Sequence, residues 1–158
     1  MQKEHRYQLE TIWEGNLGTG TSAYAAYGRD YRVRVPGKAE LAGSADPSFR
    51  GTADRHDPED QLLAALSACH MLTYLHACAT AKVIVLEYTD AAEGVMVLDG
   101  KGGGRFERVM LRPRVVVAEA AMIATAERLH ERAGEMCFIR SSVNFPVDHK
   151  AQTTSAPN

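Results

Sequence analysis

One stretch, His56–Thr80 (HDPEDQLLAALSACHMLTYLHACAT), constrains the fold of this chain more than any other. It is an apolar, glycine-free run that opens with a helix-start signature. Asp57 can cap free N–H groups, Pro58 suits the first helical position, and Glu59 and Asp60 sit where the helix dipole favours negative charge. No glycine or proline follows until Gly94. The pattern therefore predicts a helix reaching Thr80, roughly 24 residues and about 35 Å long. In a chain of 158 residues such a helix must be the central one.

Length predicts a single domain with a sizeable core. It is expected to span residues 1–147, with a polar, disordered C-terminal tail over 148–158. A net charge of −2 and a pI near 6.3 argue against nucleic-acid binding by bulk electrostatics. Histidines and polar groups interrupt the best apolar run, so no membrane span is expected. The opening residues MQKEHRYQLE lack the apolar region of a signal peptide. These features predict a cytoplasmic protein. Three cysteines, an odd number and widely spaced, do not form a secreted disulfide framework. In a reducing compartment they point to buried thiols, redox chemistry or metal binding.

Around the helix the chain reads mainly as strands. Segments 5–13, 22–27 and 31–35 have strand character, and Gly15, Gly18, Gly20 and Gly28-Arg29-Asp30 mark turns. Residues 37–56 form a long loop, a feature more often functional than idle. Beyond the helix, 82–88, 94–98 and 105–117 read as strands, with Pro113 marking an edge or bulge. Residues 119–133 have helical spacing, Gly134 is placed as the residue just past that helix, and 142–147 closes the chain as a strand. The order βββ-α-βββ-α-β, with no alternating βαβ series, predicts an α+β fold with the long helix packed on antiparallel sheet.

Cys69 lies mid-helix, flanked by Ala68 and His70, and Cys137 follows the second helix. Both could be small buried hydrophobes. They could also be the thiol pair of a peroxide-reducing site, in which a thiolate attacks an O–O bond and a second thiol resolves the sulfenic acid. Cys78 cannot partner Cys69: nine helical residues turn about 900° and separate the two by about 13 Å, on opposite faces. Cys78 is read as structural. Cys69, His70, His76 and Cys78 lack metal-ligand spacing, because neighbours on a helix diverge by about 100°. No metal or cofactor is expected. Lys101-Gly102-Gly103-Gly104 is read as a hairpin tip rather than a phosphate loop, and His70, His76 and His130 as packing or surface residues. A thiol this deep in a helix needs a nearby cation to ionise at neutral pH, and Arg29, Arg50 and Arg55 are the upstream candidates.

The segment DPEDQLLAALSAC, with Glu59 ten residues before Cys69, resembles the first cysteine motif of the OsmC/Ohr family of organic hydroperoxide reductases. LHERAGEMCFIRSSVNFPV resembles the second motif and terminal strand, and WEGNLGTGT and YGRDYRV match in kind and order. The resemblance runs from about His5 to Val147. It is closest to the branch with CFI at the second cysteine rather than the CPxSN form. It implies Cys69 as peroxidatic cysteine, Cys137 as resolving cysteine, and Glu59 as the carboxylate orienting an arginine, assigned to Arg29 with Arg50 as substitute. Where family members often carry a histidine before the second cysteine, this chain has Gly134-Glu135-Met136.

The resemblance further implies an intertwined homodimer, recycled by an external dithiol or a lipoylated protein. Helix geometry adds that Glu59 and Cys69 of one chain stand about 15 Å apart along the axis. An antiparallel pair of helices crossing at Ala64 would bring Glu59 of one chain level with Cys69 of the other, giving sites shared between subunits. The expected activity is thiol-dependent reduction of organic hydroperoxides to alcohols, through a Cys69 sulfenic acid and a Cys69–Cys137 disulfide, in oxidative-stress defence. Leu72, Met136 and Phe138 are the expected apolar pocket. The alternatives are a non-catalytic redox-sensing or ligand-binding thiol protein, or an acyl-CoA thioesterase using Glu59 or Asp60 as base.

Overall fold

The computed structural model describes residues 3–157. A single domain is the expectation from length; in the structure the chain divides into two compact units, with the division between Gln61 and Leu62.

The first unit holds a small antiparallel sheet of β1 (Glu10–Trp13), β2 (Tyr31–Arg34) and β3 (Leu41–Gly43) in that order. Tyr31 stands opposite Gly43, and a side chain at that glycine would run into the tyrosine ring. The expected strand over 22–27 does not form. Its residues are turns and bends, joined to the preceding loop through an isolated Asn16–Tyr27 bridge. Local side-chain bonds explain the difference. Asn16 Oδ1 accepts the amides of Gly18 and Gly20, and Trp13 Nε1 donates to the Gly28 carbonyl at 2.9 Å. The long 37–56 loop contains β3 and a short turn at Pro47–Phe49, capped by Asp46.

Helix α1 runs from Pro58 to Thr80. Its start is as the sequence predicts: Asp57 Oδ1 accepts the Asp60 amide at 2.7 Å. By length and apolar composition alone α1 is sufficient to cross a membrane, contrary to the reading of its sequence. Its buried face nonetheless belongs to a protein core, with Leu66, His70, Tyr74 and Cys78 turned inward.

In the second unit, β4 (Val85–Asp90), β5 (Glu93–Leu98), β6 (Gly104–Leu111) and β7 (Pro113–Val117) follow α1. The predicted long strand over 105–117 is two strands in different sheets. Pro113 opens β7, and the Arg112 amide between them donates to Asp90 Oδ1 at 2.6 Å while Asp90 Oδ2 accepts from Ser67 of α1. The sheets are ordered β4-β7-β9 and β5-β6-β8.

Helix α2 spans Ile123–Met136, so Gly134 lies buried inside it rather than beyond its end. The segment from Asp148, expected to be a disordered tail, is also structured. Val147–His149 (β8) pairs parallel to β6, and Gln152–Ser155 (β9) pairs parallel to β7. QTTS has no apolar signal, but as an edge strand it needs only backbone hydrogen bonds. Two core clusters result, one around Tyr74, Cys78, Val115 and Val117, the other around Leu66, Val109, Leu111 and Val147.

Candidate active site

Cys69 and Cys137 come together in the second unit. Cys69 is half-buried on α1, and Cys137 is buried at the C-terminal boundary of α2; neither is in a disulfide. Their thiols are near enough that each shifts the acidity of the other. After Cys137 the chain folds directly into a helical turn. The Ser141 amide donates to the Cys137 carbonyl at 3.0 Å and the Arg140 amide to Cys137 Sγ at 3.5 Å.

This turn sets the electrostatics of both sulfurs. Burial pushes the Cys69 thiol up, but the Ile139 amide, the Cys137 thiol, the Phe138 amide and the Thr73 hydroxyl together hold it below the ordinary thiol value. Burial dominates at Cys137 and raises it, and the neighbouring Cys69 adds to the rise. The pair is thus polarised: Cys69 is the sulfur more readily ionised, and Cys137 keeps its proton.

Cys69 opens onto a groove of about 810 Å³ lined by Ala65, Leu72, Thr73, Met136 and Phe138. The three residues expected to form the apolar pocket all line it. Leu72 and Phe138 are 63% and 81% exposed, so the groove presents a large apolar surface.

The acidic and basic candidates are distributed differently. Glu59 stands half-buried in the first turn of α1 and makes no ion pair with Arg29. The Arg29 guanidinium is held between the rings of Tyr24 and Tyr27, 4.4 and 4.0 Å from their centroids, and donates to the Tyr24 and Tyr27 carbonyls. Arg50 caps the Pro47–Phe49 turn in a left-handed conformation (φ 67°). Arg55 pairs with Asp30 at 3.5 Å.

Sequence reading overlooks three contributors. Thr73 lies one helical turn after Cys69, a spacing that could have identified it. The Phe138 and Ile139 amides have no sequence signal. The histidines form a further group: His70 Nε2 and His130 Nδ1 are 3.1 Å apart in nearly coplanar rings, with His149 beside both. Burial, reinforced by His149, lowers His70 to about 4. Burial, then His70, lowers His130 to about 3. The pair is neutral at pH 7 and shares one proton across the hydrogen bond. Among the described residues no group of three or more His, Cys, Asp or Glu side chains could hold a metal ion.

Two neighbouring cysteines on a helix wall and an adjacent turn, Cys69 opening onto an apolar groove and Cys137 buried behind it, within an α+β fold, define a thiol protein of the OsmC type. The OsmC-like protein family model matches residues 51–152, and the chain belongs to this family. It is similar over 94% of its length, with a TM-score of 0.81 and 29% identity, to the whole of an OsmC-like protein of unknown function from Vibrio cholerae. An organic hydroperoxide resistance protein from Elizabethkingia anophelis shares the fold at 19% identity and a TM-score of 0.70, over 99% of this chain and 100% of that one. One from Legionella pneumophila does so at 15% and 0.66, over 97% and 99%. No curated protein matches the chain.

Proposed function

We propose that the protein is a thiol-dependent peroxidase that reduces organic hydroperoxides in oxidative-stress defence. The observation that supports this reading is the oppositely shifted thiol pair Cys69–Cys137, with Cys69 opening onto an apolar groove and Cys137 buried beside it. The Cys69 thiolate attacks the terminal oxygen of ROOH. The O–O bond breaks, the alkoxide takes a proton and leaves as ROH, and Cys69 becomes a sulfenic acid. The Cys137 sulfur then attacks the Cys69 sulfur, displacing hydroxide, which leaves as water with the Cys137 proton. An external dithiol, free or on a lipoylated protein, reduces the disulfide, and no cofactor is needed. Donors aimed at the sulfur favour its anionic form as they would a developing oxyanion.

Arg29, with Glu59 as its carboxylate, is the proposed further cation, and Arg50 its substitute; family resemblance alone supports this part. A homodimer is proposed on firmer ground. Helix α1 is apolar, yet its window of highest apolarity is only 28% buried within the chain. Ala64, Ala68, Leu72 and His76 form an exposed stripe at four-residue spacing, suited to a second copy crossing near Ala64. The odd set of free thiols suits a reducing, cytoplasmic setting.

The deciding experiment is steady-state reduction of cumene hydroperoxide and hydrogen peroxide with dihydrolipoamide, for wild type, Cys69→Ser and Cys137→Ser. Turnover that favours the cumene peroxide and needs both cysteines is expected. A single oxidation event without cycling would mean a redox sensor, and acyl-CoA hydrolysis surviving Cys69→Ser would mean a thioesterase.

A further inference from the structure

A glycine inside an α-helix costs about 1 kcal/mol relative to alanine. Gly134 sits in the last turn of α2, fully inside the helix and buried. Its negative-φ helical backbone does not require glycine. What requires it is the space beside it: a methyl group there would collide with Nη1 of Arg140. The guanidinium thus lies against the bare backbone of α2, six residues before its own Cα.

Arg140 is half-buried and makes no ion pair among the described residues. With Cys137, His70, Asp148 and His149 it lines a crevice too narrow to hold water, behind the thiol pair. Its own amide donates to Cys137 Sγ. It therefore has its backbone on one sulfur and its side chain packed against the helix that ends at that cysteine. The segment between these two attachments, Phe138–Ile139, carries the two amides that favour the Cys69 thiolate.

We infer that Arg140 is a positioning residue of the thiol pair: its guanidinium, seated in the space that Gly134 leaves open, anchors the Cys137–Arg140 turn and aims its amides at Cys69 and Cys137. The inference rests on Cys69 being the reactive thiol. It assigns Arg140 no contact with substrate. Gly134 is then a requirement of the site, kept against helix propensity because the anchor needs its missing side chain.

The test reads Cys69 acidity rather than peroxide turnover, so it can fail or succeed independently of the proposed activity. The rate of Cys69 alkylation by iodoacetamide is followed against pH in the full reduced chain, by mass of the Cys69 peptide. Gly134→Ala is the informative variant, because only the far end of a flexible side chain must move to admit the methyl. It should leave thermal stability unchanged or raised, yet shift the Cys69 profile to higher pH. A one-unit shift would cut the thiolate fraction at pH 7 about tenfold. Arg140→Ala should shift the profile by a similar amount and Arg140→Lys by less. The double variant Gly134→Ala/Arg140→Ala should shift it no further than the larger single effect, because both remove one contact. A Gly134→Ala profile that overlays wild type, or single effects that add, overturns the inference. Should Gly134→Ala fail to fold, the Arg140→Ala and Arg140→Lys profiles decide alone, and wild-type profiles for both refute it.

Discussion

Cys69 and Cys78 share one helix, and two and a half turns separate two opposite fates. Cys78 faces the apolar cluster of Tyr74, Val83 and Val117, where burial raises its pKa and nothing needs a charge. Cys69 faces the groove, where two backbone amides, a hydroxyl and a second thiol offset its burial. The helix dipole does not make Cys69 acidic, since Cys69 lies eleven residues inside α1, and at Cys78, in the last turn, it opposes a thiolate. The difference teaches that thiol acidity here is conferred by what packs against α1, above all by the turn after Cys137.

The most severe way to break the contrast is to remove each sulfur. Cys69→Ser should reduce hydroperoxide turnover to background. Cys78→Ala should retain it within about twofold and cost about 1 kcal/mol of stability in urea unfolding. Equal losses in the two variants would erase the distinction. Cys137→Ser sharpens it next. One equivalent of peroxide should still be reduced, but the sulfenic acid cannot be resolved, and mass spectrometry should find Cys69 sulfinic acid in excess peroxide.

A third prediction concerns the side chain that follows Cys69 yet lies on the buried side. His70 and His130 have folded-state values of about 4 and 3, below the ordinary histidine value. Between about pH 6.5 and 4 the unfolded chain binds protons that the folded pair does not, so unfolding gains from acid. The contribution is fully present above about pH 6.5 and is lost as pH falls toward 4. Urea unfolding at pH 7 and pH 4.5 should differ by on the order of 3 kcal/mol from this pair. A His130→Phe variant should show a weaker acid dependence than wild type. The smallest effect is expected at Tyr74, whose ring stacks on His130 at 3.9 Å while its hydroxyl is buried without a hydrogen-bond partner. Tyr74→Phe should change stability by less than about 1 kcal/mol.

Much of this was legible in the chain because it is local or periodic. The α1 start depends on Asp57, three residues from the amide it caps, and the opposite orientation of Cys69 and Cys78 follows from helical pitch. The features that escaped are tertiary. Gly134 looked like a helix terminator because glycine is common there, and only the folded turn brings Arg140 back to it. His70 and His130 are 60 residues apart, and no local pattern announces their hydrogen bond. Within this chain the Arg29 guanidinium rests on the carbonyls and ring faces of Tyr24 and Tyr27, contacts that no sequence motif announces. The 105–117 run carries a strand-like pattern in which Pro113 marks an irregularity, but the change of sheet there depends on distant partners, Asp90 among them.

The last strand has a consequence beyond the site. β7 (PRVVV) is β-branched and apolar, and it is the centre of its sheet only because β9 covers one flank. Without Gln152–Ser155 it would present a bare edge of the kind that pairs indiscriminately with other chains. The polar QTTS segment therefore acts as a built-in guard against aggregation. A truncation or fusion that disturbs these four residues would be felt first in solubility, before any effect on the thiols.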